Sequence, residues 1–195
     1  ASSDPGTAPD LTLTATDLGF SLANDGTGFD ADVTIGSAKV NIPKFDIDGS
    51  ITGLTIDNSG FSLTSAAVTY TGSITLGTVF SVTNPSVTFT GFGYDVTNGP
   101  SFGGLEIKAD MISLAPTSSV SVEATGIDGA INFVSGDFTF KADTVNAKLG
   151  SYLTLSATGI SFDTQPAAGQ DIASFQTVSA TFMVGKSGTI TGSGT

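Results

Sequence analysis

The sequence predicts an all-β protein: an elongated array of paired strands in 33-residue units, with an antiparallel meander, sandwich or tube favoured and a β-solenoid as the alternative. Three observations lead there. The stretch Leu153–Phe162, LTLSATGISF, carries apolar or small residues at its first, third and fifth positions, slips by one residue, and resumes at its eighth and tenth. That pattern recurs about eight times along the chain. Thr, Ser, Gly, Asp and Asn supply most of the polar residues, which suits strand faces and turns, and no segment sustains a 3.6-residue apolar period over three turns.

Taken in order, residues 1–10 (ASSDPGTAPD) read as a flexible leader. Leu11, Leu13 and Ala15 alternate, the register slips, and Leu18, Phe20 and Leu22 continue the first strand. A polar turn at Asn24–Gly28 leads to Val33, Ile35, Ser37, Val40 and Ile42, and Pro43 ends that strand because it cannot donate to a ladder. A variant segment, Phe45–Ile51, precedes a copy at Leu54, Ile56, Asn58, Phe61 and Leu63. Val68–Val82 is less regular but still alternates, at Val68/Tyr70 and Ile74/Leu76.

A copy at Val87–Val96 follows Asn84-Pro85, and cleaner ones come at Leu105–Leu114, Val120–Gly129, Phe138–Ala147 and Leu153–Phe162. Turn chemistry separates them, as in Asn98-Gly99-Pro100 and Lys148-Leu149-Gly150-Ser151. Starts at Leu54, Val87, Val120 and Leu153 lie 33 residues apart, and Leu105 and Phe138 form a second series at the same interval, so the repeating unit is a pair of strands. After Gln165–Gly169, Ile172–Val184 supplies one or two looser strands, and residues 185–195 read as a flexible tail. The expected organisation is one β-repeat domain over 11–184, with a divergent unit at 11–53 and regular repeats over 54–184.

Alternation puts Leu153, Leu155 and Ala157 on one face and Thr154, Ser156 and Thr158 on the other. The slip at Thr158-Gly159 keeps the later apolar residues on the same side if a classic bulge admits one extra residue, or if the chain turns a corner between two short strands. Hairpin-like connections favour the antiparallel arrangement. An open meander leaves two unpaired edges, which closure, capping or association must protect.

Composition excludes much chemistry. The chain has 195 residues with eighteen Asp plus Glu against six Lys plus Arg, a net charge of −12, and the six bases are all lysine. Backbone neutralisation of nucleic acid has no source here, so nucleic acid is not an expected partner. With no His, Cys or Arg, the usual triads, imidazole bases and thiolate sites are unavailable, and no catalytic residue is assigned. No apolar run approaches the roughly 18 residues of a spanning helix.

Calcium is the metal to weigh, because Asp25, Asp30 and Asp32 flank a Gly-rich turn and Asp46 and Asp48 lie in a D-x-D-G sequence. A late acidic ligand is missing after that glycine, and no calcium-binding nonapeptide occurs, so solvated turn aspartates are the simpler expectation and no cofactor is assigned. Fourteen Phe, three Tyr and no Trp suit packing in the apolar slots better than a carbohydrate-stacking face.

Segments such as VSVEATGID and LTLSATGISF resemble the repeat regions of large bacterial extracellular, adhesin-like β-repeat proteins. The resemblance spans Leu11 to about Val184 and implies a non-enzymatic spacer, filament, matrix or adhesin-stalk role. Its expected partners are other copies or neighbouring repeats. The alternative is a polysaccharide- or lipid-binding module on the same scaffold. The acidic, arginine-free and cysteine-free makeup fits an extracellular or cell-surface location.

Overall fold

Branched and aromatic residues alternating with Thr and Ser favour extended backbone, and turn residues interrupt them at regular intervals. The computed structural model, which describes residues 11–24, 26, 28–184 and 188–194, is correspondingly almost all strand. The strands are β1 (Thr12–Asn24), β2 (Phe29–Ile42), β3 (Ile47–Asp57), β4 (Gly60–Tyr70), β5 (Ser73–Leu76), β6 (Phe80–Thr83), β7 (Ser86–Asp95) and β8 (Gly99–Ser101). They continue as β9 (Gly104–Thr117), β10 (Val120–Asn132), β11 (Asp137–Leu149), β12 (Leu153–Asp163), β13 (Ala173–Ser174), β14 (Thr177–Val184) and β15 (Gly188–Gly194). Among the described residues the helical content is one 3-10 turn, Pro43–Phe45, where the proline stops β2 as expected.

Two compact units divide these strands. The first holds the described residues up to Thr71 together with Ser86–Leu105; the second holds Gly72–Pro85 and the described residues from Glu106 onward. Strand order in the first is β1-β2-β3-β4-β7-β8. In the second it is β5-β6-β9-β10-β11-β12-β14-β15, with β13 also on β12. The ladders are antiparallel, which sets aside the solenoid alternative. Among the described residues β1 pairs only with β2 and β15 only with β14, so the meander is not closed into a barrel or tube.

Gly188–Gly194, where composition suggested a tail, is laddered to β14 from Val184 to Val178. The copy placed at Leu54 is no single strand either: it runs off the end of β3, around a tight turn and into β4. Asp57 closes that turn by accepting hydrogen bonds from the backbone N–H groups of Ser59 (2.8 Å) and Gly60 (3.1 Å). Within the 33-residue series, strand-long copies therefore begin with β7, and the interval from Leu54 to Val87 spans a hairpin.

At the slip, the backbone breaks without an extra residue. Thr144 faces Thr158 and Ala142 faces Ile160, so Asp143 lies one-to-one opposite Gly159. A classic bulge would set two residues against one, and the register excludes it. The device is instead a single left-handed residue: Gly126 has φ +59° and Gly159 φ +58°, and Asp17, Gly53 and Gly91 occupy the same region in β1, β3 and β7. One such residue turns the following peptide over, so alternation restarts in both paired strands together.

Glycine is required there for a second reason. A Cβ on Gly126 would collide with the Asp143 carboxylate, and one on Gly159 with the Gln176 side chain, because the partner's polar side chain lies over each glycine. Beside the seam on the polar face, hydroxyls pair across strands: Thr16 with Ser37 (2.8 Å), Thr125 with Thr144 and Thr158 with Thr177 (both 2.7 Å). In the second unit this row runs Thr125, Thr144, Thr158, Thr177 across four neighbouring strands.

Candidate interaction surface

Strand pairing assembles the alternating apolar residues into rows that cross each sheet. In the first unit Leu18, Ile35, Leu54, Leu63 and Phe92 stand side by side. In the second, Val120, Leu149, Leu153, Phe182 and Ile190 do the same, flanked by Val122, Ala147, Leu155 and Ala180. Ring contacts tie the rows together, as between Phe61 and Phe92 (centroids 5.5 Å apart) and between Phe138 and Phe162 (6.1 Å).

Within each unit no second layer lies on these faces among the described residues. Tertiary contacts run between ladder neighbours, so each unit is a single layer. Phe20 is 73 % exposed, Leu18 68 % and Ile190 62 %. Among the described residues the buried apolar side chains are Ala109 (6 %), Ile127 (9 %) and Ala142 (2 %), which lie beside the seam of the second unit. Covering a Leu or Phe side chain is worth about 1.5–3 kcal/mol, and monomers rarely expose apolar patches beyond about 300–600 Å². These faces are the candidate interaction surfaces of the two units.

Charge is segregated to the opposite face. Lys39, Asp48, Asp128 and Lys141 all occupy positions out of phase with the apolar rows. There Lys108 bridges Glu106 (2.9 Å) and Asp128 (3.6 Å), and the Glu106 hydrogen bond raises the lysine above its ordinary pKa. At the turns of the first unit, the Ser59 hydroxyl and backbone N–H hold the Asp57 carboxyl below its usual range. The backbone N–H groups of Asn98 and Thr97 do the same for Asp95.

The calcium candidates are not brought together. Asp30 and Asp32 face Ala23 and Ser21 near the start of β2, whereas Asp48 faces Asn41 at the other end of that strand and accepts a 2.6 Å hydrogen bond from the Asn41 amide. Asp46 takes the left-handed position after the 3-10 turn. Asp25 lies outside the described residues. Among the described residues no three acidic side chains cluster as a metal site would need, although one oxygen of Asp32 is buried without a hydrogen-bond partner.

Two shallow clefts open on the polar faces. One, of about 220 Å³, is lined by Asp57, Ser59, Asp95 and Ser101 in the first unit. The other, of about 350 Å³, lies in the second unit between Thr139, Lys141, Ser161 and Ser174 and the loop carrying Pro166, Gln170 and Asp171. That loop is the Gln165–Gly169 interruption. It is pinned by Gln165 donating to the Ser135 carbonyl (2.9 Å) and by Thr164 donating to Asp137 (2.9 Å).

The sequence signals the apolar rows through their alternation but not their lack of cover, which depends on which strands pair. The hydroxyl row had a visible signal, a Thr directly before the glycine in the ATG copies. The clefts had none beyond the broken repeat. Comparison with family models, with curated proteins and with solved structures finds no match to this chain.

Proposed function

We propose that the chain is a non-enzymatic structural element that works as one leaf of a layered β-assembly at the cell exterior, as a spacer, filament, matrix or stalk component. The supporting observation is the uncharged apolar face of each unit, set against a face carrying hydroxyl pairs and the charged strand residues. A sheet with one apolar face becomes stable by burying it against another layer. The acidic, cysteine-free composition and the resemblance to extracellular β-repeats support the location.

Dilution tests it. An environment-sensitive dye that lights up on apolar surface should bind weakly at high protein concentration and progressively more on dilution, as the layers separate. Strong dye binding that is independent of concentration would contradict assembly.

A polysaccharide-binding role is the second reading, favoured by the 350 Å³ cleft and its mixture of ammonium, carboxylate, amide and hydroxyl groups. Titration with neutral hexose oligosaccharides should then give saturable binding that Lys141→Ala weakens several-fold. Absence of saturation with all of them would remove it.

A further inference from the structure

Resting on the assembly proposed above, we infer that the layer covering the apolar face of the second unit is a second copy of this chain, packed face to face. Three observations lead to that occupant. The area is sufficient. The exposed large side chains of that face include Phe162 at 37 %, Leu155 at 40 %, Phe182 at 48 % and Ile190 at 62 %. About ten such residues, each leaving on the order of 80 Å², present roughly 800 Å², the contribution of one partner to a stable interface.

The relief also suits a sheet. Leu155 stands between Ala147 and Ala180, and Phe140 and Phe162 follow Gly129 in one row, so large side chains alternate with gaps of one side chain's size. Two inner faces of that kind interdigitate at a spacing of about 10 Å. The same face of another molecule is a layer of matching width and matching relief.

Charge does not oppose the arrangement. Lys108, Asp128, Lys141 and Lys148 point away from the apolar rows, so the charges of two stacked copies lie outside both layers. Their separation exceeds the sheet spacing and therefore the ~8 Å screening length at physiological salt. Face-to-face packing also differs from association through the strand edges, because β15 stays free in it.

The absence of native cysteine makes the test clean. In the full chain, Leu155→Cys on the apolar face and Thr154→Cys on the polar face are treated with a short bis-maleimide and weighed. The inference expects Leu155→Cys to give covalent dimers at least tenfold more than Thr154→Cys, and expects Leu155→Asp to yield monomers with unchanged β-sheet circular dichroism. Equal cross-linking at both positions, or association that survives in a folded Leu155→Asp, would overturn the second copy while leaving assembly through an edge. A native chain that stays monomeric and floats with phosphatidylcholine vesicles would overturn both, because acyl chains would then cover the face. Should Leu155→Asp fail to fold, the cross-linking of the two cysteine variants decides alone.

Discussion

The two units use one seam with different residues, and the contrast shows what controls closure of a single sheet. In the second unit, the positions beside the seam are small or β-branched: Ala124, Val145 and Ala157 on one side, Ile127, Ala142 and Ile160 on the other. Among the described residues the buried apolar side chains, Ala109, Ile127 and Ala142, all lie there. In the first unit, Leu18, Ile35, Leu54, Leu63 and Phe92 flank the seam on one side and Ala15, Ala38, Ile51, Ala66 and Phe89 on the other, and the apolar side chains stay half-buried or exposed. The difference lies in the facing row: opposite the small residues the first unit sets Leu and Phe and the second sets Ala and Val, and the alanines are buried only in the second. The left-handed residue differs too, since β1 uses Asp17 (φ 54°) where β10 and β12 use glycine.

Changing the glycine should produce the largest effect. Gly126→Val combines a strained backbone with a collision against Asp143, so a loss of about 2–4 kcal/mol is expected in denaturant unfolding. At the corresponding place in the first unit, Asp17→Gly should instead stabilise by about 1 kcal/mol by relieving the left-handed aspartate. A loss there would mean that the Asp17 carboxylate over Gly36 matters more than its backbone strain.

Overpacking comes next. Ala142→Leu should cost about 1–3 kcal/mol, whereas Ala38→Leu, on the more open crease of the first unit, should cost less than about 1 kcal/mol. Equal costs would show that the two creases are closed alike. Thr125→Val removes one hydroxyl of the seam pair and should cost about 0.5–1.5 kcal/mol, read as a lower unfolding midpoint with unchanged slope.

Acid has the smallest expected effect and should be confined to the first unit. Asp57 and Asp95 are held below the ordinary value of 3.8, so the folded state favours their charged forms. That stabilisation is present above the unfolded pKa and disappears as pH falls through the lowered folded values. Both groups are exposed, so amide exchange at the two turns should rise slightly in acid without a global transition. Faster exchange throughout the second unit at the same pH would contradict the assignment.

Much of this fold was legible because alternation, turn residues and proline act locally. β10 and β12 begin at Val120 and Leu153, the residues where their copies begin in the sequence. The copy at Leu54 misled because apolar spacing continues across a hairpin whose ends are both alternating, and only Asp57 and Gly60 distinguish turn from strand. The slip was visible, but its cause was not, since an inserted residue and a left-handed glycine leave the same gap in the pattern. Pairing register separates them, and register is a property of two strands. For the surface, alternation says which side chains share a face and is silent on what meets it. Likewise the aspartates looked grouped in sequence, yet Asp30 lies near the start of β2 while Asp48, on β3, pairs with Asn41 near its end.

Sedimentation equilibrium over a wide concentration range tests most directly whether the apolar face is an interface. Face-to-face packing predicts a mass near twice 19.5 kDa that falls to the monomer on dilution. A single species of 19.5 kDa at every concentration, with its apolar face open to a dye, would contradict it.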